Sequence, residues 1–518
     1  MADRPATHGH PTAAIYDLSR LACGPIYSCA YANAQRRGLY YPPHRRIALR
    51  RSTLGAGLRD LQTSDWSGGN LSTMSTNSPT PFNRRKFIRA AALAAAGTAL
   101  GTPTLGADPV GPPTAVARPR PLKFSSDLRD GLKPRRVTNA MWDYSWLTQH
   151  YPGGAFADFD RAADELVERG FNTVRIDAFP LVIGALHSDS ETITIPGDPL
   201  ANWGMSDRER EHLIVRELVE FMRAVKRRGL SVILSSWGKD CKEHPNRTTL
   251  LAKDRHGFRK CWERTLDLLG SQDVLDAVLY VDLDQEFPYF SPFQNELNKL
   301  GKAPAASPSV ETGADAAGQF EQGLTRPAWK PSQMEYVRGL FSEMLPHFQS
   351  RYPRLRFTYS LTSFHKEVRS MGLQLFDVLE LHLWIHSPRF DQRTGFNAIT
   401  KDRGSRSYRD YADRLTATLD TVGPMLAQEM RNRLAFAQAW SEEIAAPVVT
   451  TEAWGPWWHM DHPDLDWGWL RNWCEQCMTL AAQHKFWGVT PWNYAHPYWK
   501  NWSDVKWYRR VNRRFLRS

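Results

Sequence analysis

From residue 137 onward, short apolar runs alternate with longer amphipathic runs. The first apolar run covers residues 138–142, and residues 158–169 then repeat hydrophobic side chains at helical spacing until a glycine interrupts them. A second strand pattern at residues 172–176 precedes a second helical pattern at residues 207–228, which also ends before a glycine. This alternation is typical of an α/β domain.

The same rhythm continues to the carboxyl terminus, with further helical patterns at residues 335–348 and 408–442. Eight strands are predicted in all, at residues 138–142, 172–176, 231–234, 278–283, 356–360, 378–383, 447–451 and 486–491. Eight strand–helix repeats predict a closed (β/α)8 TIM barrel, and an open doubly wound sheet is the alternative. The clearest insertion, residues 291–333, follows a strand, as rim loops of barrel enzymes do.

The amino-terminal third of the chain does not share this rhythm. Two arginines, Arg84 and Arg85, precede a short, weakly apolar run and small residues near Ala107, which resembles a twin-arginine export signal at residues 74–107. We expect residues 1–73 to be a disordered or non-native extension and residues 108–136 to be a Pro-rich linker. The barrel domain is then residues 137–518, exported by the twin-arginine machinery to the periplasm or the exterior.

The net charge of +11 would suit nucleic-acid binding if it lay on the folded domain. Residues 1–107 contain 13 Lys/Arg and 4 Asp/Glu, which accounts for +9. Residues 108–518 carry 53 Lys/Arg and 51 Asp/Glu, a net charge of +2. Nucleic acid is therefore not an expected partner. A stable membrane span is not expected either, because the apolar run of the leader is too short to cross a bilayer.

Four cysteines lie in the predicted domain. An oxidising destination would permit a bridge between Cys241 and Cys261, although spacing alone does not establish it. Cys474 and Cys477 have the spacing of a redox or zinc half-site, but they fall on the apolar face of a helical pattern. We therefore expect these two thiols to be packed in the core.

Two glutamates end predicted strands at places where a barrel enzyme would carry its reactive groups. Glu286 follows the fourth strand and Glu452 follows the seventh. A retaining glycosidase needs two carboxyl groups about 5–5.5 Å apart, one to protonate the leaving oxygen and one to attack the anomeric carbon. The pair therefore predicts glycoside cleavage, with Glu286 and Glu452 as the two catalytic carboxyl groups.

With these residues in place, the chain resembles the cellulase-like glycoside hydrolases of clan A, and within them family 5. The resemblance spans residues 137–502 and implies Glu286 as the acid/base, Glu452 as the nucleophile, and further roles for residues in chain order. Arg175 on the second strand would steady the nucleophile, His382 after the sixth would orient substrate, and Trp492 after the eighth would floor a sugar subsite. The wider set of expected substrate-binding residues is Arg175, Trp237, Gln285, His382, Trp384, Trp454 and Trp492.

The sequence departs from the family pattern near the acid/base. Gln285 replaces the asparagine before it, Phe287 replaces the proline after it, and Trp237 lies where the third strand would supply a histidine. Trp384 also stands in place of a tyrosine. The Gln285 and Trp237 replacements favour the alternative of a saccharide-binding barrel that does not cleave, whereas the retained glutamate pair favours hydrolysis of a β-linked saccharide.

Tryptophan is abundant, with 20 in the chain, and many lie at or beyond predicted strand ends. Such rings could stack on sugars or pack in the core, and we expect about half to line a cleft. The series is Trp142, Trp146, Trp203, Trp237, Trp384, Trp454, Trp457, Trp458, Trp492 and Trp499. A metal-dependent hydrolase is disfavoured, because the first strand ends without the His-x-His that its metal would require. The expected chemistry uses no cofactor.

Overall fold

The computed structural model describes the carboxyl-terminal part of the chain, starting at Arg136. Its gaps are residues 199–200, 246–250, 252, 302–328, 363–368, 370–373, 386–387, 397–404, 457–466 and 493. The predicted extension, export signal and most of the linker, together with the Ala/Pro/Gly-rich segment 302–318, lie outside the described residues. No described helix combines the length and apolarity that crossing a membrane requires.

Eight parallel strands form the barrel, as the sequence predicts. They are β1 (Val137–Asp143), β2 (Thr173–Asp177), β5 (Ser231–Ser235), β6 (Val278–Asp282), β7 (Phe357–Thr358), β8 (Leu379–Glu380), β9 (Val448–Thr450) and β10 (Gly488–Val489). They pair in the order β7-β6-β5-β2-β1-β10-β9-β8, and a parallel bridge between Leu361 and Leu381 joins the two end strands. This bridge favours the closed barrel over the open sheet.

Helices follow the strands and cover the outside of the barrel. They are α1 (Ser145–Thr148), α2 (Phe159–Glu168), α3 (Pro180–Ala185), α4 (Ile214–Arg227), α5 (Arg255–Ser271), α6 (Gln294–Gly301), α7 (Pro331–Arg351), α8 (Pro388–Thr394), α9 (Ser405–Ile444), α10 (Trp467–Gln483) and α11 (Val505–Arg517). Asp158 caps α2 by accepting a hydrogen bond from the Arg161 amide at 3.0 Å. The predicted boundaries of α2 are therefore confirmed to within one residue.

The start of the second predicted helix is wrong. Residues 207–213 are not helical, because β4 (Arg210–His212) pairs with β3 (Ile193–Ile195) in an antiparallel hairpin. The helix begins only at Ile214, where the Glu217 side chain accepts a hydrogen bond from the Leu213 amide at 2.9 Å. Backbone pairing with a distant strand thus overrides the local helical pattern.

The barrel interior and the helix layer form two separate apolar clusters. The interior cluster consists of Val137, Ile233, Leu279, Tyr280, Val378, Val449 and Trp487. The larger cluster lies between strands and helices and includes Cys474 and Cys477, whose complete burial confirms the expectation of packed thiols. Cys241 and Cys261 are buried and are not joined by a disulfide bond, so the structure does not contain the bridge that the sequence would permit.

Helix α5 helps to position the end of the fourth barrel strand. The buried indole of Trp262 donates a hydrogen bond to the Leu283 carbonyl at 2.9 Å, three residues before Glu286. Helix α3 packs against α5 where Gly184 lies over Cys261, so closely that a methyl group on Gly184 would lie 2.9 Å from the Cys261 Cα. A side chain at residue 184 would therefore push the two helices apart.

We expect Gly184→Ala to lower the free energy of unfolding by about 1–3 kcal/mol, because the added methyl group overpacks a rigid backbone contact. Gly270→Ala, on α5 itself, is the matched control. Its methyl group would meet only a Leu275 carbon at an ordinary 3.7 Å, and alanine is favoured over glycine in a helix by up to about 1 kcal/mol. Denaturant unfolding of the two variants measures both effects, and equal stability would contradict the packing argument.

Candidate active site

A buried arginine joins four strands at the carboxyl-terminal end of the barrel. Arg175 on β2 donates from Nε and Nη2 to the two carboxylate oxygens of Asp143 on β1, at 2.9 and 2.7 Å. Its Nη2 also donates to Glu452 and its Nη1 to the Thr451 hydroxyl, both directly after β9. Glu380 on β8 lies 3.5 Å from Nη1. The guanidinium is completely buried, so these partners replace its hydration.

Glu452 is held from two sides. Its Oε1 accepts hydrogen bonds from Arg175 and from the Gln285 side-chain amide, the latter at 2.9 Å. Its Oε2 has no hydrogen-bond partner among the described residues and lies 3.5 Å from Nδ1 of His382. One oxygen is therefore anchored while the other keeps its lone pairs available. Gln285 contacts the glutamate that the sequence predicts as nucleophile, although it replaces the asparagine of the family pattern.

Glu286 lies on the open side of the site, with its side chain 15% exposed against 1% for Glu452. Its backbone has a φ of 50°, a left-handed conformation that non-glycine residues rarely adopt and that often occurs at functional sites. Ser360 supports this turn, because its hydroxyl accepts from the Glu286 amide and its carbonyl from the Phe287 amide, both at 2.9 Å. The Glu286 carboxyl group is thus aimed by the backbone.

His382 lies between the two glutamates. Its Nδ1 is 2.8 Å from a Glu286 oxygen, and one oxygen of each glutamate and a ring nitrogen of His382 all lie within 4.8 Å of one another. That separation is close to the carboxyl spacing of retaining glycosidases. Three such groups could also surround a cation. Because Arg175 already engages Glu452 and His382 engages Glu286, the arrangement fits carboxylate chemistry better.

Burial and charge shift the pKa values in this cluster. Burial raises the pKa of Glu452 to about 7, while the charges of His382 and Arg175 act in the opposite direction. Burial also disfavours a charge on His382, but Glu452, Glu286 and Glu380 outweigh it and raise the pKa of this imidazole to about 10. At neutral pH the site therefore contains two cations among its carboxyl groups.

Trp237 is connected to the site by a hydrogen bond to Asp143. Its indole N–H donates to Asp143 Oδ2 at 2.8 Å, and its backbone amide donates to Asp177 at 3.0 Å. The ring is 8% exposed and packs edge-on against Phe290, with centroids 4.7 Å apart. Trp237 thus orients the acid that holds Arg175, and its contact with a sugar stays a prediction.

The other predicted tryptophans divide into core and half-exposed positions. Trp454 and Trp492 are 0% and 1% exposed, and the Trp454 indole donates to the Thr490 carbonyl at 2.8 Å. Both rings are buried in this structure, and their contact with a sugar stays a prediction. Trp384 is half-buried beside Trp203, whose ring stacks on Tyr494 at 5.4 Å.

The expectation that half of the tryptophan series lines a cleft does not hold for the eight members that the structure describes. Six are buried, namely Trp142, Trp146, Trp237, Trp454, Trp492 and Trp499. Trp203 and Trp384 are half-buried, and Trp457 and Trp458 lie outside the described residues. Most of these rings stabilise the loops around the site.

The sequence analysis missed two carboxylates of the network. Asp143 ends β1, the same position in its strand that identified Glu286 and Glu452 in theirs. Glu380 lies two residues before His382, and residues two apart share one face of a strand. Strand-end position and alternation could therefore have identified both.

Comparison with known proteins identifies the family of this chain. Residues 139–516 match the model of a cellulase-like family, which is described as sugar-binding cellulase-like. The chain belongs to this cellulase-like family. A comparison of this cellulase-like sequence with curated proteins finds no match.

Solved structures similar to this cellulase-like protein include a candidate glycoside hydrolase from Parabacteroides distasonis, with a TM-score of 0.61, 24% identity, and coverage of 74% of this chain and 94% of that chain. A family 5 mannosidase from Rhizomucor miehei has a TM-score of 0.38 and 10% identity over 74% and 94% of the two chains. An endo-β-1,4-mannanase from Thermotoga petrophila has a TM-score of 0.37 and 11% identity over 69% and 68%. The first of these shares the barrel fold.

The charge on His382 makes stability depend on pH. Its pKa of about 10 in the folded protein lies above the value of about 6.5 for an unfolded histidine, so the protonated ring stabilises the fold. This contribution is complete below about pH 6.5 and is lost as the pH rises through about 10. We expect the stability difference between the wild type and His382→Gln to shrink over that interval in denaturant unfolding. A difference that stays constant with pH would contradict the assigned charge.

Proposed function

We propose that this protein is a retaining glycoside hydrolase that cleaves a β-linked oligo- or polysaccharide. The observation that carries the proposal is the approach of Glu286 and Glu452, with carboxylate oxygens within 4.8 Å across the barrel mouth. Such a pair flanks the scissile bond in double displacement. The alternative, a barrel that only binds saccharide, has no comparable observation in its favour.

In the first step, Glu452 Oε2 attacks the anomeric carbon while the bond to the leaving oxygen breaks and Glu286 gives its proton to that oxygen. In the second step, Glu286 takes a proton from water, the water oxygen bonds to the anomeric carbon, and the bond to Glu452 breaks. Arg175 and Gln285 would hold the other oxygen of Glu452 in both steps. Since burial raises the pKa of Glu452 to about 7, activity should fall as the pH decreases below neutrality.

We expect Glu452→Gln and Glu286→Gln to fold normally and to lose activity by at least about 10³-fold on natural β-linked oligosaccharides. An aryl glycoside with a good leaving group separates the two roles. Glu286→Gln should recover much of its first step on that substrate, because the leaving group needs no proton, whereas Glu452→Gln should not. The measurements are kcat and kcat/KM on both substrate types, with circular dichroism as the control for folding.

Proton NMR of the first product formed tests the stereochemistry, and the β anomer is expected. Near-normal turnover by either variant would refute the assigned residues. Tight binding of oligosaccharides by the wild type without release of reducing ends would instead support the binding alternative. A panel of β-linked glycans, tested with the protein from Asp108 onward, identifies the sugar and linkage.

We also propose that the protein is exported through the twin-arginine pathway. The support is the sequence around Arg84 and Arg85, followed by a short apolar run and the Pro-rich stretch. A folded barrel with buried ion pairs is compatible with a pathway that carries folded cargo.

Replacing both Arg84 and Arg85 by lysine should keep the precursor in the cytoplasm, because the positive charge is preserved but the paired arginines are lost. Cell fractionation and immunoblotting measure the distribution. The wild-type precursor in a host without the twin-arginine machinery should behave like the double variant. Equal export of both precursors in a normal host would exclude this route.

A further inference from the structure

Two cationic side chains lie next to each other inside the barrel. Nη1 of Arg175 is 3.3 Å from Nε2 of His382, and both side chains are shielded from water. Like charges at this distance repel strongly in a site of low dielectric constant. Nε2 also lies 3.2 Å from the side-chain amide nitrogen of Gln285, so a protonated His382 needs an anion that faces both cationic groups on this side.

Glu380 occupies that position. Its Oε1 lies 3.5 Å from Arg175 Nη1 and 3.7 Å from His382 Nε2, and its side chain is 0% exposed. The same oxygen accepts a hydrogen bond from the Thr451 hydroxyl. Glu380 ends β8 and His382 follows it by two residues, so the two side chains lie on the same side of the chain.

The other carboxylates face different edges of the two cations. Asp143 engages Nε and Nη2 of Arg175, and Glu452 engages Nη2. Glu286 and the second oxygen of Glu452 face Nδ1 of His382, on the opposite side of the ring from Nε2. Glu380 Oε1 lies within 4 Å of both Nη1 and Nε2.

We propose that Glu380 is a positioning residue, the shared counter-ion that keeps His382 protonated and Arg175 in place beside Glu452. This role rests on the proposed function for its effect on catalysis, although the charge on His382 can be measured without any activity. Because Glu380 balances their charge, Arg175 and His382 keep their positions beside Glu452, although neither side chain is exposed to solvent.

The electrostatics of the surrounding groups agree with an ionised Glu380. Burial would raise its pKa, yet His382, Arg175 and Thr451 lower it below its usual value. Asp282, at the end of β6, has its pKa raised to about 8 by burial and by Glu380, so at neutral pH it is mainly neutral. The groups facing the pair of cations are thus Asp143, Glu286, Glu380, Glu452, Gln285 and Thr451, with Asp282 and Tyr280 behind Glu380.

The test is Glu380→Gln in the protein from Asp108 onward, labelled with ¹³C-histidine. We expect the His382 pKa, followed by NMR and assigned by comparison with His382→Gln, to fall by at least about one unit, because an opposite charge is removed. The alkaline limb of kcat/KM should move to lower pH by a similar amount. A folded Glu380→Gln protein with an unchanged His382 pKa would overturn the proposal.

Asp284→Asn is the matched control. Asp284 is a carboxyl group of equal burial at the end of the same barrel, and burial raises its pKa well above its usual range, so its replacement removes no charge at neutral pH. The His382 pKa should not change in this variant. If Glu380→Gln fails to fold, Thr451→Val is the second test. This variant loses the hydroxyl group that donates to Glu380, so the His382 pKa should again be lower than in the wild type. An unchanged His382 pKa in Thr451→Val would overturn the proposal.

The two proposals can fail separately. A lower His382 pKa in Glu380→Gln, together with normal turnover in the Glu286 and Glu452 variants, would keep the counter-ion and reject the hydrolase. An unchanged His382 pKa in Glu380→Gln, together with loss of activity in the Glu286 and Glu452 variants, would support the hydrolase and leave Glu380 as part of the packed barrel.

Discussion

The completely buried guanidinium of Arg175 is the constraint on which this site depends. An arginine stays charged inside a protein, so its N–H groups and its charge must be matched by acceptors when water is removed. Here the acceptors come from β1, from β8 and from the residues directly after β9, while the arginine itself lies on β2. Each of these partners compensates part of the buried charge, so the same interaction holds four strands and the predicted nucleophile.

The charge balance explains how one cluster can hold an acid and a base. Arg175 and His382 supply two positive charges, whereas Asp143, Glu286, Glu380 and Glu452 offer four carboxyl groups. The cluster therefore favours retention of protons on some of the acids. The more exposed Glu286 is the group that a leaving oxygen could reach, while Glu452 is anchored deeper by Arg175 and Gln285.

The abundance of tryptophan has a structural reason in the described part of the chain. Several buried indoles donate to backbone carbonyls at or near the carboxyl ends of strands: Trp146 to Asp177, Trp262 to Leu283, and Trp454 to Thr490. At these points the sheet ladder ends and carbonyl groups need other donors. A large apolar ring with one N–H group fills the space beneath a loop and satisfies such a carbonyl. The rim is thereby fixed around the site.

The sequence by itself determined the barrel, since its strand and helix periods follow from local side-chain patterns. It also indicated Glu286 and Glu452 through their positions after strands, and Arg175 and His382 through the resemblance to the cellulase-like family. It did not reveal the β3–β4 hairpin, because the pairing of Ile193 with His212 joins segments whose contact no local pattern encodes. Only the tertiary structure decided that Trp454 and Trp492 are core residues and that Glu380 faces two cations. Burial and charge pairing depend on which strands become neighbours, and that is a property of the closed barrel as a whole.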